Sequence, residues 1–540
     1  MANSHQNTFQ WWQTGVIYQI YPRSYMDTTG NGIGDLQGVI NKLDYLSDTL
    51  GVDALWLSPF FPSPMADFGY DVSDYVNVHP LFGDLAMFDR LVKEAHTRGL
   101  KVIIDIVPNH SSDQHAWFVE SRSSRDNPKR DWYVWRDAKP DGSPPNNWLS
   151  VFGGPAWEWD EHTGQYYLHS FLKEQPDLDW RNPVVKEAML DVFRFWLDRG
   201  VDGFRIDVAQ RLMKDPLERD NPLNESGKLF SHKAMGEYDS QIHIYDVTHE
   251  DIHGVFREIR GILDAYSENQ PRYSVGEIHE YDFEKWALYY GKELDELHMP
   301  FNFALLDADW DASAIRKVVD DLEAAIPEGA WPNYVLGNHD DQRMVTRIGA
   351  LQARVAAMLL LTLRGTPTLY YGDELGMPES VIPDELVQDP WGISVPGLSR
   401  DGCRTPMQWN DQEHAGFSTS DSTWLPAQPD YASRNVAVQL GEQSSSLNLY
   451  RTLLAYRSES IALQVGRYVP LDKVPSSCYV YKRETEHESV LVVLNFSNES
   501  VNVIVPSSAT LKVTTYLDKA DLFIDDALQL RPHEGVILSL

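Results

Sequence analysis

Asp202-Gly203-Phe204-Arg205-Ile206-Asp207 is the stretch on which the reading of the fold turns. Ahead of it, Asn182-Pro183 opens a run with apolar residues at Val185, Met189, Val192, Phe193 and Trp196, and Arg199-Gly200 closes that run. Asn is a good N-cap, Pro suits the first helical turn, and Gly after a basic residue suits a helix end. A short apolar strand then starts at Val201. The order is helix, tight turn, strand, with Arg205 and Asp207 near the strand's C-terminal end. Side chains alternate along a strand, so these two point the same way. In a barrel of parallel strands that end is where chemistry happens. An Arg beside an Asp keeps the carboxylate ionised, as a nucleophilic carboxylate requires. Taken alone, the six residues fit a structural ion pair equally well.

The rest of the chain decides between them. Strand-like runs ending in polar residues recur at Val16-Ile17-Tyr18-Gln19-Ile20-Tyr21, Asp53-Ala54-Leu55-Trp56-Leu57-Ser58 and Val102-Ile103-Ile104-Asp105-Ile106-Val107. They continue at Tyr273-Ser274-Val275-Gly276-Glu277, near residues 297–301, over residues 334–340, and at Pro367-Thr368-Leu369-Tyr370-Tyr371-Gly372. Helical patterns lie between them, one of them capped by Asp84 and ended by Gly99. Apolar strands alternating with amphipathic helices mean a parallel sheet covered on both faces, and eight such units mean a closed (β/α)8 barrel of the α/β class.

At 540 residues the chain is too long for one core, so further domains are expected. Barrel residues 1–107 and 176–372 enclose an inserted small domain, 108–175, after the third strand. An irregular subdomain, 373–443, follows the eighth strand. A last barrel helix is expected over 444–460, and an antiparallel β-domain over 461–540, where short alternating strands replace the βα rhythm. With 46 basic against 80 acidic residues the net charge is −34, which argues against nucleic acid or an anionic membrane as partner. No apolar run reaches the length of a membrane span, and the polar first ten residues do not resemble a signal peptide, so a cytoplasmic location is expected. Cys403 and Cys478 offer neither a disulfide framework nor metal-ligand spacing.

Three acids, Asp207, Glu277 and Asp340, end three barrel strands, in the company of Arg205, His279 and His339; His110 follows the third strand. Acids converging on one face repel one another, and a glycosidic bond is a substrate that needs them: one attacks, a second donates a proton, a third steadies the charged transition state. A divalent-metal site is the alternative such a set leaves open.

Gly203-Phe204-Arg205-Ile206-Asp207, Val275-Gly276-Glu277, Gly337-Asn338-His339-Asp340 and Asp105-Ile106-Val107-Pro108-Asn109-His110 resemble the four signature regions of the α-amylase superfamily, glycoside hydrolase family 13. Gln19-Ile20-Tyr21-Pro22-Arg23-Ser24, Gly69-Tyr70-Asp71-Val72-Ser73-Asp74-Tyr75 and the run from Arg400 to Trp409 are similar to its α-glucosidase and oligo-1,6-glucosidase branch. The resemblance implies Asp207 as nucleophile, Glu277 as general acid/base and Asp340 as transition-state stabiliser. It implies that Asp67, Tyr70, His110, Arg205, His339 and Arg400 hold the non-reducing glucose, with Phe152, Phe171 and Gln175 lining the pocket. It implies a retaining, exo-acting α-glucosidase that needs no cofactor for catalysis. Val208, next to the nucleophile, tends to accompany α-1,6 cleavage in that branch, which points to short substrates such as isomaltose, with α-1,4 links or sucrose as rivals.

Asp27-Thr28-Thr29-Gly30-Asn31-Gly32-Ile33-Gly34-Asp35 resembles the family's metal loop. Asp27, Thr29, Asn31, Asp35 and the Ile33 carbonyl would wrap one structural Ca²⁺ or Mg²⁺; a Gly-rich turn without metal is the alternative, because only two of the side chains are charged. The expected partner is a small oligosaccharide or glucoside, and the expected assembly a monomer or weak homodimer. Two competing functions share the frame: a glucosyl-transferring or sucrose- or maltose-isomerising enzyme, and a non-enzymatic transporter subunit. The absence of an arginine-rich segment after the sixth strand speaks against the isomerase, and three intact acids speak against the transporter subunit.

Overall fold

The structure, a computed structural model, describes residues 9–227, 234–268 and 270–540. Eight parallel strands form its main sheet: β1 (Ile17–Ile20), β2 (Ala54–Leu57), β3 (Lys101–Ile106), β4 (Gly203–Ile206), β5 (Tyr273–Gly276), β6 (Met299–Pro300), β7 (Asn333–Val335) and β8 (Thr366–Tyr370). They pair in the order β7-β8-β1-β2-β3-β4-β5-β6. The helices between them grow from the expected signals. Asn182 accepts from Val184 N at the start of Pro183–Asp198, and Gly200 leaves that helix with φ 91°. Asp84 accepts from Met87 N at the start of Leu85–Thr97.

The sheet is nearly closed. Between β6 and β7 a side chain takes the place of a ladder. Asn333 donates Nδ2 to Pro300 O at 2.6 Å and accepts Asn302 N on Oδ1 at 3.0 Å. Strand parity separates two cores. Ile17, Ala54, Trp56, Ile103, Tyr273, Val275, Met299 and Val335 fill the barrel, while Tyr18, Leu55, Ile104 and Phe204 face the surrounding helices. The inward parity also carries polar residues near the strand ends: Gln19 pairs with Trp56, and Asp105 stands directly across from Arg205.

A three-stranded antiparallel sheet, Trp135–Arg136, Gln165–Leu168 and Trp157–Asp160, lies between β3 and β4. Residues from 467 onward form a six-stranded and a two-stranded sheet. Two buried arginines lie at the junction, and Arg483 docks this part on the barrel. Arg457 donates to the carbonyls of Leu361, Leu463 and Gly365, and Arg483 to those of Thr362 and Gly466. Leu361 and Thr362 end the helix Ala350–Thr362, so both guanidiniums meet the negative end of its dipole. Near the start of the barrel, buried Glu374 ties three segments: Oε1 accepts from Tyr18 OH at 2.7 Å and Tyr45 OH at 2.8 Å, and Oε2 from Gly372 N at 2.9 Å. Among the described residues no helix is long and apolar enough to cross a membrane.

Candidate active site

The C-terminal ends of β3, β4 and β5 deliver their polar residues to one guanidinium. Arg205 donates Nη1 to Asp105 Oδ1 at 2.8 Å and to Asp207 Oδ1 at 2.5 Å, and Nη2 to Glu277 Oε2 at 2.7 Å. Its side chain is 3% exposed, so these are charge-assisted bonds in a dry setting. Trp56 adds an indole N–H to Asp105 at 3.2 Å and a ring face to Arg205. Asp105 lies within the signature around His110 but was not singled out as a site residue. The signal for it was there, since it shares strand parity with Arg205 on the neighbouring strand.

Three acids on one cation change the electrostatics expected from sequence. Arg205 does not belong to Asp207 alone. Burial, with Glu277 and Asp105 adding to it and Arg205 opposing, pushes Asp207 well above the usual carboxylate range. Burial also raises Asp105, to about 6, against the pull of Arg205. Glu277 goes the other way: burial opposes its charge, but Arg205 and the His279 hydrogen bond outweigh burial and hold it at about 2. Glu277 has more donors than Asp207, because Oε2 also accepts Val208 N at 2.9 Å and Oε1 meets His279 Nε2 at 2.9 Å. Arg205 is thus shared among three acids and is not reserved for Asp207.

Asp340 stands on the opposite wall. The ladder of β7 stops at Val335, and an Asn338 side chain accepting Asp340 N at 2.7 Å turns the chain away from the sheet. Arg400 Nη1 and Arg404 Nη2 donate to Asp340 Oδ1 at 3.0 and 2.9 Å, and His339 Nε2 lies 3.2 Å from Oδ2. Burial lowers His339 to about 3 and keeps it neutral. Its ring stacks on Tyr70 at 5.4 Å and 5°, and Tyr70 OH reaches both His339 Nε2 and Asp105. Gln19 Nε2 holds the other ring nitrogen at 2.7 Å. One chain of contacts therefore joins the two walls through Tyr70.

The floor is a second polar lattice. Arg400 is clamped by Asp389 through both side-chain ends and gives Nη2 to Asp67 at 2.9 Å. Asp67 accepts Gln175 Nε2 at 3.1 Å, and the same amide lies 3.1 Å from His110 Nε2. Burial lowers His110 to about 4. Phe171 lies against His110, Phe152 against Phe171 and Trp391, and Arg400 over Phe152. Val208 packs in this aromatic cluster together with Tyr238. Its backbone is left-handed, φ 36° and ψ 42°, which costs a β-branched residue about 1–3 kcal/mol. All the expected acids and sugar-holding residues thus meet in one contact network. Sequence reasoning missed Asp105, Arg404, Asp389 and Gln19; Arg404 lies inside the Arg400–Trp409 motif, whereas Asp389 carried no local signal.

The loop 27–35 is used differently from the expectation. Asp27 accepts Thr29 N, Gly30 N and Gly32 N, and takes the Ser418 hydroxyl at 2.5 Å. Asp35 accepts Thr28 N and caps the next helix through Gly38 N, while Asn31 accepts Ile33 N. Both carboxylates accept from donors within the loop and from one donor beyond it, Ser418 for Asp27 and Gly38 for Asp35. Among the described residues no group of three or more His, Cys, Asp or Glu side chains could hold a metal ion. The structural Ca²⁺ or Mg²⁺ expected from the sequence is not shown by this arrangement.

An eight-stranded parallel barrel whose C-terminal mouth gathers carboxylates and arginines is the frame of a barrel enzyme. Residues 19–466 match the family model described as alpha amylase, catalytic domain, and residues 479–537 match the alpha-amylase SusG C-terminal domain. The chain belongs to the α-amylase family, glycoside hydrolase family 13, and is a glycoside hydrolase. It is 45% identical over 510 residues to a probable alpha-glucosidase of Rhizobium meliloti (strain 1021), covering 92% of this chain and 91% of that protein. It is 39% identical over 575 residues to an oligo-1,6-glucosidase of Heyndrickxia coagulans, covering 98% and 99%. Its fold is similar to the crystal structure of the alpha-glucosyl transfer enzyme XgtA, with a TM-score of 0.92, 43% identity and coverage of 98% and 99%.

Proposed function

We propose that the protein is an exo-acting, retaining α-glucosidase that releases glucose from the non-reducing end of short α-glucosides, α-1,6 links such as isomaltose foremost. The observation that carries this reading is the shared guanidinium, which brings Asp207 and Glu277 within hydrogen-bond reach of one group. Retention needs two carboxyl groups about 5–5.5 Å apart, and inversion a wider gap. Asp207 attacks the anomeric carbon as Glu277 protonates the departing oxygen, giving a β-glucosyl-enzyme. Glu277 then takes a proton from the water that displaces Asp207, and α-glucose leaves. For the first step Asp207 is ionised and Glu277 carries the proton, and the two titrate jointly. Asp340, set between Arg400 and Arg404, faces the developing positive charge of the ring. The lattice of Asp67, Gln175, His110 and Arg400 supports a closed end that admits one terminal sugar.

An acceptor other than water completes a transglucosylation by the same steps. The apolar cluster around Val208, Phe152 and Trp391 favours this as a side activity, since it sheds water from the pocket wall. Product analysis with isomaltose, maltose and sucrose side by side tests the reading. First-formed α-glucose from isomaltose supports it. First-formed β-glucose sinks retention, and cleavage of maltose or sucrose without isomaltose sinks the linkage preference.

A further inference from the structure

Glu277 has two oxygens in unequal surroundings. Oε2 is filled by Arg205 Nη2 and Val208 N. Oε1 meets one side chain, His279 Nε2, at 2.9 Å. Oε1 is therefore the oxygen with room for a departing sugar oxygen. His279 is held from two further sides. Its ring lies face to face with Phe303, with centroids 4.6 Å apart at 14°, and its backbone N donates to Gln210 Oε1 at 2.6 Å. Its side chain is 41% exposed where that of Glu277 is 10% exposed. The imidazole thus reaches from open solvent to the buried carboxyl. Around Glu277 stand Arg205 and Asp207 from β4, Asp105 from β3, Asp340 from the segment after β7, and His279 from its own segment.

We propose that His279 is the positioning residue of the Glu277 carboxyl: with its ring fixed on Phe303, it selects Oε1 as the oxygen that faces the scissile bond and gives Nε2–H to that oxygen once its proton has left. This rests on Glu277 being the acid/base. The step balances. As the glycosidic bond breaks, the Oε1 proton goes to the leaving oxygen and the O–H electron pair stays on Oε1, where the imidazole N–H meets it. When water attacks the glucosyl-enzyme, its proton returns to Oε1 and the imidazole gives way. A hydrogen bond that strengthens as Glu277 becomes an anion helps most when the leaving group needs a full proton.

The test compares wild type with His279→Ala, His279→Gln and Phe303→Leu. Each is assayed on isomaltose, a poor leaving group, and on 2,4-dinitrophenyl α-glucoside, which leaves unaided, across a pH series. His279→Ala is expected to lower kcat/KM about tenfold on isomaltose, the scale of one hydrogen bond to a charged group. The aryl glucoside should change less than about twofold on the same grounds. Without the imidazole donor Glu277 keeps its proton to higher pH, so the basic limb moves up. His279→Gln, which retains an N–H donor, should recover most of the isomaltose loss. Phe303→Leu, which leaves the imidazole but frees it, should show the same split in smaller measure and covers the case in which His279→Ala does not fold. Equal losses on both substrates with an unmoved basic limb overturn the proposal. Glu277→Gln is run beside them: if it still cleaves isomaltose, the acid/base reading falls, whatever His279 does.

Discussion

Arg205 shows how far a residue's role depends on partners the sequence keeps apart. Its link to Asp207 was legible, because residues two apart on a strand share a side. Its division among Asp105, Asp207 and Glu277 was not, since those acids meet only when β3, β4 and β5 lie in register. The division has a kinetic consequence. Asp207 must be ionised to attack, and burial with its acidic neighbours raises it. Because the pair reacts while it holds one proton, kcat/KM should fall away on both sides of a pH optimum. Asp207→Asn should cut turnover by at least about 10⁴-fold, as loss of a nucleophile does elsewhere. A pH profile with no optimum, or a variant of near-normal rate, would refute the assignment. Val208 makes a second prediction at this scale. It packs among the aromatics beside Asp207, where a branched apolar side chain crowds a directly attached second ring more than one hung on an extra carbon. Val208→Thr should raise the ratio of maltose to isomaltose cleavage, by no more than about tenfold, since one methyl group discriminates weakly. An unchanged ratio removes Val208 as a determinant.

At the scale of elements, most strands and the capped helices were legible from their own periodicity and stop signals, whereas β6, two residues long, carries none. The loop 27–35 was not. Its residue types suit a cation or a turn, and only the direction of its N–H groups decides. With Asp27 serving three backbone donors and the Ser418 hydroxyl, the loop is a self-sufficient turn pinned to the segment after β8. Millimolar chelator should leave the Tm unchanged, whereas Asp27→Ala should lower stability by about 1–3 kcal/mol by leaving the buried Gly32 N–H and Ser418 hydroxyl unpaired. A drop in Tm on chelation, reversed by Ca²⁺, would restore the cation. Asp389 marks the same limit: nothing near it in sequence announces the clamp it places on Arg400.

At the scale of the whole molecule, Glu374 couples strand, helix and loop across the barrel wall, and its charge state depends on that packing. Burial raises it to about 7, against the Tyr18 and Tyr45 hydrogen bonds. A folded-state value above the unfolded one, about 4.3, means its contribution is full below pH 4.3 and is lost as pH rises through about 7. Glu374→Gln carries no charge at any pH, so the gap in Tm between variant and wild type should move in the variant's favour from pH 5 to pH 8. A gap that stays constant, followed by calorimetry, would show that Glu374 does not titrate in this range. The ring itself was read from the sequence as closed, yet one seam is held by a side chain. The unbroken run of ladders starts at β7 and ends at β6, so the barrel is a ribbon whose two ends are fastened by the Asn333 amide. Such a ring has a preferred place to part. In deuterated solvent the Asn302 amide should exchange before those of β3 and β4, and the sheet can open there by a hinge while every ladder elsewhere stays whole.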